Sequence, residues 1–203
     1  MSRYTGPVWR ISRRLNFSVL ATGEELQKRQ TVPGQHGNDR QKKKTDYGIQ
    51  MQEKQKLRYT YGVSEKQFQR LFLIAKKDKS KVTGLYFMQI LESRLDNLVY
   101  RCGFAVTRRQ ARQLVNHGHV TVNGKKVDIP SYLCSIGDVI SFKDSSKSLQ
   151  VVREAIEKKP NIPAFVFVDQ NKVEGTLVRL PERDELPSEI DDSQVVEFYN
   201  RKL

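Results

Sequence analysis

Thr107-Arg108-Arg109-Gln110-Ala111-Arg112-Gln113-Leu114-Val115-Asn116-His117-Gly118-His119-Val120-Thr121-Val122-Asn123-Gly124 decides the reading of this chain. Thr107 and Gln110 have capping-box spacing, so a helix starts here. Ala111, Leu114 and Val115 recur at i, i+3 and i+4 and give it one apolar face. Gly118 stands where a helix stop needs a left-handed residue. Val120-Thr121-Val122 alternates like a strand, and Asn123-Gly124 favours a type I′ hairpin turn. Arg108, Arg109 and Arg112 crowd the first turns, where the helix dipole disfavours cations. An anion held jointly by free amides and guanidinium groups would resolve this, and Lys125 and Lys126 follow the turn. The pattern places Arg112 on the polar face, where truncation would spare the fold. The plainer alternative is a solvated basic face.

Composition points the same way. The 203 residues carry a net charge of +13 and 37% apolar residues, with a pI near 9.8 and a mean hydropathy of −0.62. A nucleic acid or an acidic membrane surface is the fitting partner class. The charge is uneven: net +8 over 1–60, +4 over 61–90, +3 over 91–141 and −2 over 142–203. The polyanion should therefore meet the N-terminal two-thirds. Cys102 and Cys134 form no disulfide framework and have no zinc-ligand spacing, which fits a reducing compartment. No signal peptide and no run long enough to span a membrane is present. His117 and His119 lack a nearby third ligand, so no metal is expected. No Walker-type loop or nucleophile elbow occurs, and no cofactor is expected.

Residues 1–45 read as a basic extension with few periodic elements, in which only Thr22 to Leu26 could open a short helix. Pro33-Gly34-Gln35-His36-Gly37 breaks regular structure. Much of this segment is expected to order only on RNA, using Trp9 and Phe17 as anchors. Asp46 can cap a helix running to Tyr61, and Ser64 a second through Ala75. A third apolar pattern runs from Leu85 to Val99 as one helix. Ile136 to Phe142 reads as a turn into a strand, and Leu149 to Lys158 as a helix. Phe165 to Val168 and Thr176 to Val178 form a second hairpin. Pro181 to Pro187 is an acidic linker, and Gln194 to Tyr199 a short apolar element.

Residues 94–141 resemble the small helix-turn-helix-plus-hairpin RNA-binding module named after a ribosomal protein. That module also occurs in pseudouridine synthases and tyrosyl-tRNA synthetases. Further stretches are similar to bacterial small-subunit ribosomal protein S-four: Met1 to Pro7, Pro33 to Gly37, Asp46-Tyr47-Gly48, Glu53 to Tyr59, Tyr61-Gly62-Val63, Pro181-Glu182-Arg183 and Val196 to Tyr199. The resemblance covers essentially the whole chain. It implies an α+β fold: a basic extension at 1–45, a helical domain at 46–92 with 184–203 packed back on it, and an RNA-binding domain at 93–183 with a small antiparallel sheet on helices. It also implies a structural role without catalysis: primary binding to 16S ribosomal RNA at a helix junction of the 5′ domain, nucleating assembly of the subunit body. The family adds an influence on decoding accuracy with proteins S-five and S-twelve, and a place with S-three and S-five along the path by which mRNA enters. The chain would act as a monomer within cytoplasmic ribosomes.

Many relatives bind zinc through N-terminal cysteines. None precedes Cys102 here, so the zinc-free branch is the better match, with Trp9, Phe17, Leu20 and Leu26 supplying apolar contacts instead. The RNA-contacting residues on this reading are Arg3, Arg10, Arg13, Arg14, Gln35, His36, Lys42, Lys43, Lys44, Tyr47, Lys54, Lys56, Arg58, Tyr59, Arg108, Arg109, Gln110, Arg112, His117, His119, Asn123, Lys125 and Lys126. Glu182, Asp184, Glu185, Glu189, Asp191 and Asp192 would face a basic protein neighbour. A stand-alone RNA chaperone or a fragment of an RNA-modifying enzyme carrying the same module are the alternatives. The acidic residues 142–203 are too few for a separate catalytic domain.

Overall fold

A computed structural model describes residues 4–40, 43–158 and 161–202; Arg3 and Lys42 lie outside the described residues. The fold is α+β, and the chain divides into two compact units, Met1–Gly84 with Pro187–Leu203, and Leu85–Leu186. The division falls several residues before the 92/93 boundary read from the sequence, and residues 1–45 share the first unit.

In that first unit, α1 (Val8–Leu15) follows Pro7 and ends on left-handed Asn16. The amide of Phe17 reaches back to the Ser12 carbonyl, closing the helix end. α2 (Glu24–Lys28) starts after left-handed Gly23. The expectation of an extension with little structure is therefore corrected, since Leu15, Phe17 and Val19 are buried. Of the four residues expected to supply apolar contacts in place of zinc, Phe17 is buried and Leu20 and Leu26 are half-buried. Trp9 stays 41% exposed, with Lys28 Nζ 5.3 Å from its ring. The segment also buries a carboxylate. The buried Glu25 carboxylate accepts hydrogen bonds from Ser12 (2.9 Å), Ser18 (2.9 Å) and Thr22 (3.1 Å). Burial alone would raise its pKa, but these bonds and a backbone bond outweigh it and hold the carboxyl below its ordinary range.

The segment docks on α3 (Asp46–Thr60), whose Gln52 donates to the Leu15 carbonyl at 2.8 Å. Thr45, not Asp46, caps α3, its hydroxyl accepting from the Gly48 amide. Ser64 caps α4 (Glu65–Lys77), which turns Phe68, Leu71, Phe72 and Ala75 inward. The C-terminal element is longer than its apolar stretch suggests: α10 (Asp192–Lys202) buries Val195, Phe198 and Tyr199. The Tyr199 ring stacks on Phe72 at 4.7 Å, and its hydroxyl donates to Glu65 at 2.9 Å. α10 is thus part of the core of this unit.

In the second unit, the single helix expected over Leu85 to Val99 is two, α5 (Thr83–Glu92) and α6 (Leu95–Arg101). A tertiary contact wins over helical periodicity here. Arg94 is extended and bridges to Leu133, and the Ser93 carbonyl accepts from the Cys134 amide at 2.9 Å. α7 (Arg108–Asn116) packs on α6. β1 (Val120–Val122), β2 (Lys125–Lys126), β3 (Val139–Phe142), β4 (Val166–Asp169) and β5 (Glu174–Leu177) form one antiparallel sheet in the order β2-β1-β3-β5-β4. The short helices α8 (Asp144–Lys147) and α9 (Gln150–Glu157) follow β3. Strand alternation sends Val120, Val122, Ile140, Phe142 and Leu177 into a core shared with Leu95, Leu98, Val99, Phe104, Ala111, Leu114 and Val115. A Cβ at Gly175 of β5 would collide with Cys102 Sγ, so only glycine lets this strand approach the end of α6. Both cysteines are buried, and burial pushes the Cys134 thiol up to about 12.

Candidate nucleic-acid interface

The deciding stretch folds largely as its pattern directs. Thr107 Oγ1 accepts from the Gln110 amide at 3.2 Å. Gln110 Oε1 in turn accepts from the Val106 amide at 2.7 Å, one residue before the position a capping box uses. Gly118 is left-handed, and the amide of His119 reaches the Leu114 carbonyl at 3.2 Å. Asn123 and Gly124 both have positive φ, as a type I′ turn requires. The hairpin folds back on the helix end, because the aliphatic stem of Lys126 lies over Gly118 where a Cβ would stand.

The three arginines separate. Arg109 is exposed. Arg108 is half-buried, its Nε donating to Asn97 Oδ1 at 2.8 Å and its guanidinium lying 4.5 Å from the Tyr100 ring centre. Asn97 is itself fixed, donating to Glu92 Oε2 at 2.6 Å. Fully buried Glu92 also accepts from Arg101 Nε and Nη2 at 2.9 and 2.5 Å. Arg112 contradicts its expected place on the polar face: it is 6% exposed, with Nη1 3.6 Å from Asp96 Oδ2. Asp96 simultaneously receives Arg94 Nε at 3.0 Å and Nη2 at 2.7 Å. Arg112 lies one residue past Ala111 and three before Val115, at the flank of the apolar face, where a buried carboxylate on α6 can claim it.

Other residues read as contacts are also engaged internally. Asn123 donates to Asp138 Oδ1 at 2.8 Å and accepts from the Val139 amide at 2.9 Å. His119 Nδ1 lies 2.9 Å from the buried Ser146 hydroxyl, whereas His117 is exposed. Lys125 and Lys126 are exposed, Lys126 Nζ being 3.7 Å from Asp128.

In the first unit, Lys54 is 4% exposed and donates twice to Glu65, at 3.0 and 2.9 Å. Burial lowers the Lys54 pKa despite that partner. The Glu65 carboxyl stays below its ordinary range: burial would raise it, and the Lys54, Tyr199 and Arg58 contacts overcome that. Arg58 Nε donates to the Val63 carbonyl at 3.2 Å, with its guanidinium 4.7 Å from the Tyr59 ring. Lys56 Nζ pairs with Glu53 at 2.7 Å and lies 5.6 Å from the Phe17 ring. Lys54, Lys56 and Arg58 therefore knit this unit together.

Arg10, Arg14, Gln35, Lys43 and Tyr47 are exposed, and Arg13 reaches the Thr31 carbonyl at 3.4 Å. Exposed His36 lies 2.8 Å from Asp39, and Lys44 contacts Gln52. Of the acidic residues, Glu185 is bound to Arg179 by two hydrogen bonds at 2.7 Å. Glu182 and Glu185 close a capping box around the 3-10 turn Arg183–Glu185. Asp191 Oδ1 accepts from the Ser193 and Gln194 amides at the start of α10. Asp192 is half-buried, close to Gly84, while Asp184 and Glu189 are exposed.

The sequence reading missed Glu92, Asn97 and Asp96 as the residues that hold the arginines. The available signal was polar residues at 92, 93, 94, 96 and 97 inside an otherwise apolar run, since buried charges need partners. Among the described residues no group of three His, Cys, Asp or Glu side chains could hold a metal. Among them, too, no helix is long and apolar enough to cross a membrane.

A capped helix packed on a second helix, followed by a basic hairpin that opens a small sheet, defines a protein built around an RNA-binding domain of S4 type. Residues 93–140 match the S4 domain and residues 3–92 the family described as Ribosomal protein S4/S9 N-terminal domain. The chain is 57% identical to small ribosomal subunit protein uS4 of Lactobacillus acidophilus over 203 residues, all of both chains. It is 59% identical to uS4 of Ligilactobacillus salivarius over 201 residues, 99% of this chain and all of that one. Identity to uS4 of Enterococcus faecalis is 56% over the full length of both. The chain belongs to the uS4 family of small ribosomal subunit proteins, which are structural constituents and not enzymes.

Proposed function

We propose that this protein binds 16S ribosomal RNA directly, at a helix junction of the 5′ domain, and so nucleates assembly of the body of the small subunit. The single observation that carries this reading is the outward basic set Arg109, Lys125 and Lys126. It stands on a helix start and a type I′ hairpin fixed to each other by the Lys126 stem over Gly118. Arg108 is held beside Arg109 by Asn97 and Tyr100. Duplex RNA offers phosphates, 2′-hydroxyls and shape rather than accessible base edges, which suits cations on a rigid support. Arg10, Arg14, Lys43 and the Gln35-His36 turn supply further exposed contacts. The same reading makes the protein a ribosome-bound, cytoplasmic monomer with neighbours S-three, S-five and S-twelve, through which it influences decoding accuracy. Asp184 and Glu189 are the acidic residues best placed for a basic protein neighbour.

Filter binding to a transcript of the 16S 5′ domain, against an unrelated duplex of equal length, tests this. The expected result is preference for the junction and an affinity that falls steeply with salt. Equal binding of both RNAs, or a salt slope near zero, would refute it.

A further inference from the structure

The outer face of α4 is a second cationic surface that the reading above does not use. Phe68, Leu71, Phe72 and Ala75 define its inward side. At 100° per residue, Lys66, Arg70, Leu73 and Lys77 fall in one column on the side opposite them. All four are exposed, and exposed Lys79 follows just beyond the end of the helix. Lys66, Arg70, Lys77 and Lys79 have no carboxylate partner among the described residues. The two acidic residues nearby are committed elsewhere, Glu65 inward to Lys54 and Tyr199, Asp78 to Ser80 and Lys81. Lys66 and Arg70 are like charges four residues apart, a spacing that destabilises a helix. Lys66 also stands in the first turn, where the helix dipole adds to the repulsion. A helix face that keeps such a column fits an external polyanion.

We infer that this column, Lys66, Arg70 and Lys77 with Leu73 between them, is a second contact surface for the phosphate backbone of ribosomal RNA. The inference rests on the RNA-binding function proposed above. Neighbouring cations one turn apart, about 6 Å, can each reach a separate phosphate along a strand. Leu73 can lie against ribose between them, because the shallow minor groove of RNA presents sugar edges. An acidic protein segment is the competing occupant. The cations Lys66, Arg70 and Lys77 around Leu73, with exposed Ile74 beside the column, favour RNA, since lysine is depleted in protein–protein interfaces.

The test uses full-length protein in three forms: unaltered, Lys66→Gln/Arg70→Gln/Lys77→Gln, and Arg109→Gln/Lys125→Gln/Lys126→Gln. Circular dichroism and melting show that each is folded, as expected for exposed positions. Binding to purified small-subunit RNA is measured across a salt series, and incorporation into reconstituted subunits is scored separately. The α4 variant is expected to lose on the order of tenfold in affinity at moderate salt, with a salt slope shallower by roughly 2. If it binds like the unaltered protein while the hairpin variant is weakened, the inference is overturned and the proposed function stands. If it binds RNA normally but incorporates poorly, the column belongs to a protein partner and the inference is likewise overturned. If neither variant is weakened, the proposed function itself fails.

Discussion

Replacing Arg112 by alanine should damage the fold before it damages RNA binding. The guanidinium is buried 3.6 Å from Asp96, and breaking a buried pair by removing one partner costs roughly 3–5 kcal/mol. Asp96 would keep its two shorter bonds from Arg94, which compensates part of the stranded charge. The loss should therefore fall at or below the low end of that range, about 2–3 kcal/mol. For a unit of about this size each kcal/mol lowers the midpoint by roughly 4–8 °C, so a drop of about 8–24 °C is expected. Calorimetry or circular dichroism on the variant measures it. A double-mutant cycle with Asp96→Asn then isolates the pair, the Arg112→Ala loss becoming smaller once the carboxylate has been replaced by the neutral amide. Arg109→Ala is the contrast: melting unchanged within about 0.5 kcal/mol, as for an ordinary surface site, with RNA affinity reduced and the salt slope shallower by about 1. An Arg112→Ala protein that melts like the parent yet loses RNA affinity would show that the guanidinium faces phosphate, and the buried network would be wrong.

Acid should loosen the first unit through Glu25 and Glu65. Both carboxyls are held below their ordinary 4.5, so their stabilisation is complete above that value and is lost as pH falls through the depressed folded pKa. Glu25→Gln should flatten the stability profile below pH 4.5, and an identical acid limb in the two proteins would argue against the hydroxyl cluster. Cutting the chain after Glu189 should unfold the first unit rather than trim an interface, because α10 carries Val195, Phe198 and Tyr199 into the core; a truncated protein with unchanged melting would contradict this. Asp184→Asn with Glu189→Gln is the appropriate lesion for the proposed protein neighbour. It should raise misreading in reconstituted subunits and leave RNA affinity unchanged, and loss of RNA binding instead would reverse the division of roles.

What could be read from the sequence follows physical locality. The Thr107 cap of α7, the Gly118 stop, the Asn123-Gly124 turn and both hairpins depend on residues within a few positions of each other and formed as their patterns directed, while the Gln110 half of the capping box went to the Val106 amide. The break between α5 and α6 was not legible. Its cause is pairing of Arg94 with Leu133, a contact about forty residues away that outweighs an uninterrupted apolar period. α1 was missed for a related reason. Its buried positions are Ser12 and Leu15, and a serine that reaches the interior to bind Glu25 leaves no hydrophobic trace. The length of α10 was underestimated because its ends, Asp192 and Arg201-Lys202, match the helix dipole but carry no apolar periodicity.

The same distinction governs the cations. Lys54, Lys56, Arg58, Arg108 and Arg112 were indistinguishable from Arg109 or Lys125 by residue type and net charge. Each proved to have an internal acceptor or ion partner: Glu65, Glu53, the Val63 carbonyl, Asn97 and Asp96 respectively. A chain with a modest apolar core gains shape from such charged links, and those links set the direction of the side chains left outside. Counting phosphates from composition would then overstate the electrostatic footprint. If all five reached phosphate, the salt slope would be steeper by roughly 3–5 than the outward set alone supplies. Lys54→Met separates the two accounts. In protein that remains folded it should lower the melting temperature and leave the salt slope where it was, because Lys54 Nζ lies against Glu65 and is closed to RNA. A slope shallower by about 1 would place that ammonium on a phosphate and undo the separation between cations that build the scaffold and cations that meet the RNA.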